Sequence, residues 1–178
     1  MLAGGCSKVV FIGPVGVGKT TAVQHLSDIP VVATDVVASD AVVLRSKQTT
    51  TVALDYGKVT LNNGRIVHLY GTPGQERFNF MWDILTQGKG TALVLLINNS
   101  RPQPLRDMEF FISNFRKFAE AGRMLVAVTH TDLVATPTLM DYSGELRRLK
   151  VDLPLFKVDA RRRDAVAVLL DVLHQWNE

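Results

Sequence analysis

The chain has 178 residues, 47% of them hydrophobic and 21% charged, with a formal net charge of +3 and one cysteine. That balance fits one globular domain with a sizeable core, and the mild charge, with no like-charge run beyond Arg161-Arg162-Arg163, gives no reason to expect nucleic acid or an acidic membrane as partner. The lone Cys6 excludes an internal disulfide framework and a cysteine-built metal cluster and fits a reducing compartment.

The first predicted element is the apolar run Lys8-Val9-Val10-Phe11-Ile12, a strand. Gly13-Pro14-Val15-Gly16-Val17-Gly18-Lys19-Thr20 follows it, and Thr21-Ala22-Val23-Gln24-His25-Leu26 then reads as a helix. Strand, glycine loop and helix are the context that a phosphate-binding P-loop requires. Crowded phosphate charge is best met by backbone N–H groups, and Gly13, Gly16 and Gly18 let the backbone wrap closely. The helix start adds its dipole, Lys19 is assigned to the β- and γ-phosphates, and the Thr20 hydroxyl to Mg²⁺. The alternative is a glycine-rich turn before an ordinary helix.

Asp28 to Thr50 has neither strand nor helix periodicity and reads as a long connection with some local structure. Thr51 to Leu61 and Arg65 to Tyr70 read as two antiparallel strands, with Asn63-Gly64 as a type I′ turn between them. Gly71 to Phe78 is rich in turn formers, and a helix is expected from about Asn79 to Thr86. Thr91 to Ile97 and Met124 to Thr129 are continuous apolar runs that suit buried parallel strands. Between them Leu105, Met108, Ile112, Phe115 and Ala119 form one helical stripe. Thr136-Pro137 reads as an N-cap with proline in the first turn, opening a helix striped by Leu139, Tyr142, Leu146 and Leu149. A short strand at Leu155 to Val158 and a helix carrying Val166, Leu169, Leu170, Leu173 and Trp176 complete the chain. The alternation predicts an open α/β sheet, mostly parallel, with helices on both faces and ligand loops at the carboxyl ends of the strands.

Those loops, taken together, resemble the Ras-like small GTPases over nearly the whole chain. Thr51-Val52-Ala53-Leu54-Asp55-Tyr56 is similar to the switch I segment of Rab-type members, and Gly74-Gln75-Glu76-Arg77-Phe78 to the start of switch II. Thr129-His130-Thr131-Asp132 resembles the base-reading asparagine/threonine-lysine-x-aspartate motif, and Asp159-Ala160-Arg161 the last guanine-contacting loop. The combination looks most like bacterial Ras-like GTPases, including the gliding-motility group and those encoded beside roadblock-domain proteins.

The resemblance implies a P-loop small GTPase fold, with six mostly parallel strands of which one is antiparallel, formed by residues 1–178 as one GTP-binding domain. It implies GTP or GDP with Mg²⁺ as ligands, held by Gly13, Val15, Gly16, Val17, Gly18, Lys19, Thr20, Thr21, Thr51, Gly74, His130, Asp132, Asp159, Ala160 and Arg161. Thr20 and Thr51 would take the metal, with Thr50 as the alternative to Thr51. Gln75 would orient water and Lys19 stabilise charge, and Arg45, from its place in the long connection, is the first candidate for a cis arginine, with Arg77 the second. A carboxylate at Asp132 accepts hydrogen bonds from the N1–H and N2–H₂ edge of guanine, where adenine offers an acceptor. A protein activator or effector is implied, a roadblock-domain protein among the possibilities, and Phe78, Phe80 and Trp82 read either as its docking surface or as core. With no secretory leader, membrane span or lipidation signal in the sequence, a cytoplasmic and unanchored protein is expected.

Three positions depart from the family pattern. Gly71 stands where Ras proteins place the Mg²⁺-holding aspartate, Pro73 replaces the usual alanine, and His130 stands for lysine in the base-reading loop. Asp35 and Asp55 are the carboxylates available as substitutes, and each also reads as an ordinary surface or turn residue. The rival readings are a guanine-nucleotide-bound scaffold without useful turnover, a P-loop small-molecule kinase, for which no arginine-rich lid is evident, and an ATPase.

Overall fold

The computed structural model describes residues 6–37, 51–74 and 79–175. Seven strands form one sheet in the order β2-β3-β4-β1-β5-β6-β7. They are β1 (Lys8–Ile12), β2 (Val32–Val37), β3 (Thr51–Thr60), β4 (Ile66–Gly71), β5 (Thr91–Asn98), β6 (Met124–Thr129) and β7 (Leu155–Lys157). Only β3 runs antiparallel to its neighbours, β2 and β4. The helices are α1 (Lys19–Leu26), α2 (Asn79–Leu85), α3 (Pro104–Asn114), α4 (Arg116–Glu120), α5 (Leu139–Arg148) and α6 (Arg163–Gln175).

The central strands are apolar without alternation because both of their faces are covered. Val10, Ile12, Leu93, Leu95, Ile97, Val126 and Val128 pack with Met81, Met108, Ile112 and Tyr142 from α2, α3 and α5. The alternate residues Val9, Phe11, Val94, Leu96, Leu125 and Ala127 pack with Ala22, Val23, Leu26, Val166, Leu169 and Leu173 from α1 and α6. A period of two therefore sorts each strand between two cores. Trp82 lies in the first core, 5.3 Å from the rings of both Phe111 and Phe115, so its ring is core packing rather than a docking surface. Among the described residues no helix is long and apolar enough to cross a membrane.

Several local expectations need correction. Among the described residues the long connection contains β2, an edge strand paired with β3, which raises the sheet from six strands to seven. The hairpin turn is not type I′, because Gly64 has positive φ and Asn63 does not. Instead Gly64 N–H donates to Leu61 O, Leu61 N–H donates to Arg65 O, and the Asn63 side chain accepts from Arg65 N–H. That is a three-residue loop closed by a left-handed glycine. The stripe from Leu105 to Ala119 spans two helices, since Phe115 leaves helical geometry at φ −110° and ψ 28° while still packing inward. The cap of α5 is Thr138 rather than Thr136, because Asp141 lies three residues on and completes a reciprocal capping box, whereas Leu139 in that relation to Thr136 cannot.

Candidate nucleotide site

The loops after β1, β4, β6 and β7 open together into a cleft of about 930 Å³. Its walls include Val15, Gly16, Gly18, Lys19, Thr20, Thr21, Gly74, His130, Asp132, Asp159, Ala160 and Arg161. Gly13 and Val17 stand behind this wall. Val17 is fully buried in the second core, and a Cβ on Gly13 would lie 2.2 Å from the Leu96 carbonyl oxygen. The glycine is thus required where the loop crosses β5.

Lys19 is 7% exposed, and its ammonium donates to the carbonyls of Gly13 at 2.8 Å and Pro14 at 2.5 Å. Burial lowers its pKa to about 8, against the opposing field of Asp55, and the charge of Arg101 lowers it further. A buried cation beside the first turn of a helix is an anion site. Gly18 caps that helix in the left-handed region, φ 101°, with its carbonyl accepting from Ala22 N–H.

Residues that sequence reasoning did not single out support the loop from the end of β5. Asn98 Nδ2 donates to Gly16 O at 3.3 Å, and the Arg101 guanidinium reaches Val15 O at 3.4 Å while paired with Asp107 at 2.6 Å. Their only signal in the sequence is their place just beyond a buried strand, where an α/β sheet puts its ligand loops.

At the other end of the cleft the buried Thr129 hydroxyl lies 3.0 Å from Val17 O and 2.8 Å from His130 Nδ1. With its one proton given to a carbonyl, the hydroxyl accepts from Nδ1–H of His130. His130 is left-handed, φ 57°. The Arg161 guanidinium grips Asp159 through two 2.8 Å hydrogen bonds and also stands 3.7 Å from Asp132. The side-chain and backbone hydrogen bonds from Arg161 hold Asp159 down to about 2.

Near Thr20 the Asp55 carboxylate accepts the threonine hydroxyl. Thr51 begins the same strand, its backbone paired with Val37 and roughly 13 Å from Asp55 at the usual strand rise. Thr50, Arg45, Gln75, Arg77 and Phe78 lie outside the described residues.

Fold and cleft define a P-loop nucleotide-binding protein with the fold of a GTPase G domain. The G domain of the T. maritima FeoB iron transporter is similar at a TM-score of 0.70, covering 97% of this chain and 99% of that one at 14% identity. A family model described as "Conserved hypothetical ATP binding protein" matches residues 30–176, and the chain belongs to that family. The matched range begins beyond the P-loop. The uncharacterized protein MJ1339 of Methanocaldococcus jannaschii is 38% identical over 89 residues, half of this chain. The match spans 49%, about half, of that relative's length.

Proposed function

We propose that this protein binds GTP with Mg²⁺, hydrolyses it slowly to GDP and phosphate, and presents a different surface to a protein partner in each state. The observation that carries the reading is the shared cleft: Asp132 and the Asp159-Ala160-Arg161 loop face the same space as Lys19 and Thr20. A carboxylate there complements the two donors of a guanine edge and meets an acceptor at N1 of adenine.

The P-loop amides and Lys19 would take the phosphates, a task of positioning and charge neutralisation. Water attacks the γ-phosphorus, the bond to the β-phosphate oxygen breaks, and inorganic phosphate leaves. By resemblance Gln75 orients that water, Arg45 or a partner supplies the further positive charge, and Thr51 contacts the γ-phosphate. Thr20 and Asp55 place two oxygen ligands beside the P-loop, a donor set that suits Mg²⁺, whose chemistry is to neutralise charge on the phosphate oxygens. Gly74 lies against the P-loop, where a Cβ would come within 2.5 Å of Val15 N and 2.8 Å of Lys19 Nζ. A change at the phosphates would therefore push on the loop that leads to α2, and through it on a partner. A roadblock-domain activator or effector is the partner that the gliding-motility resemblance suggests.

The family's description favours a second reading, ATP in the same cleft. Titration of fluorescent GTP, GDP and ATP into nucleotide-stripped protein separates the two. Guanine preference that is lost in Asp132→Ala, with slow phosphate release, is the expected result. Equal affinity for ATP assigns the cleft to adenine, and tight GTP binding with no phosphate release makes the protein a scaffold.

A further inference from the structure

Asp55 and Gly71 are direct register partners across the β3–β4 pair. Both turn toward α1. Asp55 meets Thr20 in the first turn of that helix, and a Cβ on Gly57, two residues along β3, would lie 2.6 Å from Ser27 Oγ just beyond its last turn. A Cβ added to Gly71 would stand 3.1 Å from Asp55 Cβ and 3.1 Å from Asp55 Oδ2. That is tighter than most side-chain contacts, so a side chain at position 71 would need the Asp55 side chain to give by a few tenths of an ångström. Here the space is filled from β3.

We propose that Asp55 is the protein carboxylate that holds the Mg²⁺ of the bound nucleotide, moved across the strand pair from position 71. The proposal rests on the nucleotide reading above. A small hard cation takes one or two carboxylate contacts together with substrate phosphates and water. The Thr20 hydroxyl and the Asp55 carboxylate supply hard oxygens at the mouth of the P-loop, within the field of Lys19. Among the described residues no group of three or more His, Cys, Asp or Glu is placed to hold a metal ion. Without the ion, Asp55 puts a negative charge beside a phosphate site and opposes nucleotide binding.

These two roles have opposite signs, and the test uses both. Fluorescent GDP is titrated into the full chain in EDTA and in Mg²⁺, and Mn²⁺ replaces Mg²⁺ for a paramagnetic readout of ion binding to the complex. Asp55→Asn is expected to bind GDP more tightly than wild type in EDTA and to lose at least about tenfold of the enhancement given by Mg²⁺. The exchange variant Asp55→Gly/Gly71→Asp, which returns the carboxylate to β4 and clears its space, is expected to recover that enhancement and the Mn²⁺ signal. Melting temperatures of the empty proteins report whether each variant folds, and Asp55→Ala serves if the asparagine variant does not. A full Mg²⁺ enhancement in the Asp55 variants overturns the proposal and leaves the nucleotide reading intact. Wild-type protein that binds GDP equally in EDTA and Mg²⁺ overturns it in the same way, whereas wild-type protein that binds no GTP, GDP or ATP overturns both.

Discussion

Thr129, at the end of β6, donates its buried hydroxyl to the carbonyl of Val17 in the P-loop, 3.0 Å away and 112 residues distant in sequence. The loop after β6 and the phosphate loop are therefore tied together by a buried hydrogen bond. Thr129→Val keeps the shape and removes the donor, leaving a buried carbonyl unsatisfied, so a loss of about 1–2 kcal/mol in urea unfolding is expected. Nucleotide affinity is expected to fall severalfold. Thr129→Ser retains the hydroxyl and should restore most of both, and a valine variant as stable as wild type would remove the coupling role.

The P-loop glycines should differ sharply under alanine substitution. At Gly13, φ is +139° and a Cβ would press to 2.2 Å on the Leu96 carbonyl oxygen, a backbone group that cannot swing away. At Gly16, φ is +77° but nothing lies within 4 Å. Gly16→Ala should therefore cost about 1–2 kcal/mol from left-handed backbone strain alone, while Gly13→Ala should displace the loop from β5 and yield little folded protein. Circular dichroism melts of the two purified variants check the order.

The architecture was legible because its signals are local. Val94 and Leu95 face opposite cores, so β5 reads as an unbroken apolar run, and the glycine pattern of the P-loop follows from backbone approach alone. Edge strand β2 was hidden because Val32 to Val37 pairs on one side only and needs no strict alternation; its strand character comes from β3, which lies beyond the long connection. The relation of Asp55 to Gly71 was hidden for a different reason. Which carboxylate fills a shared space depends on strand register, and the residues involved are sixteen apart in sequence with nothing local to link them. The support given by Asn98 and Arg101 to the P-loop likewise exists only once β1 and β5 are side by side.

Burial of Lys19 makes the empty protein sensitive to alkaline pH. The folded value is about 8 and the ordinary one 10.5, so the native state releases this proton first. Below pH 8 both states are charged and the burial penalty is complete; between 8 and 10.5 the unfolded chain binds more protons, and the Lys19 contribution to stability rises. The difference in melting temperature between wild type and Lys19→Met should thus shift in favour of wild type across that window. Phosphates require the ammonium form, so nucleotide affinity measured in EDTA should fall by roughly tenfold per pH unit above 8. A flat affinity profile to pH 10 would show that Lys19 stays charged in the empty cleft.

Tyr142 links α5 to the loop after β6 through a relay of hydrogen bonds. Its hydroxyl donates to Asn99 Oδ1 at 2.8 Å, Asn99 Nδ2 donates to Val134 O at 3.2 Å, and Asn99 N–H donates to Thr129 O at 3.0 Å. Burial raises the Tyr142 pKa well above the ordinary phenol value, so the hydroxyl remains a donor at every pH at which the protein is handled. Tyr142→Phe leaves Asn99 Oδ1 without this partner in a buried site and should cost about 1–3 kcal/mol. If the relay acts as a unit, Asn99→Ala in the Tyr142→Phe background should cost less than in wild type, with a coupling of about 1 kcal/mol in a double-mutant cycle. Val134 lies two residues beyond Asp132, so both single variants should also weaken guanine selectivity without touching the phosphate end, which a parallel titration with inorganic triphosphate can separate. Additive stability losses would make Tyr142 an ordinary core residue, and Asn99 would then hold the loop after β6 without it.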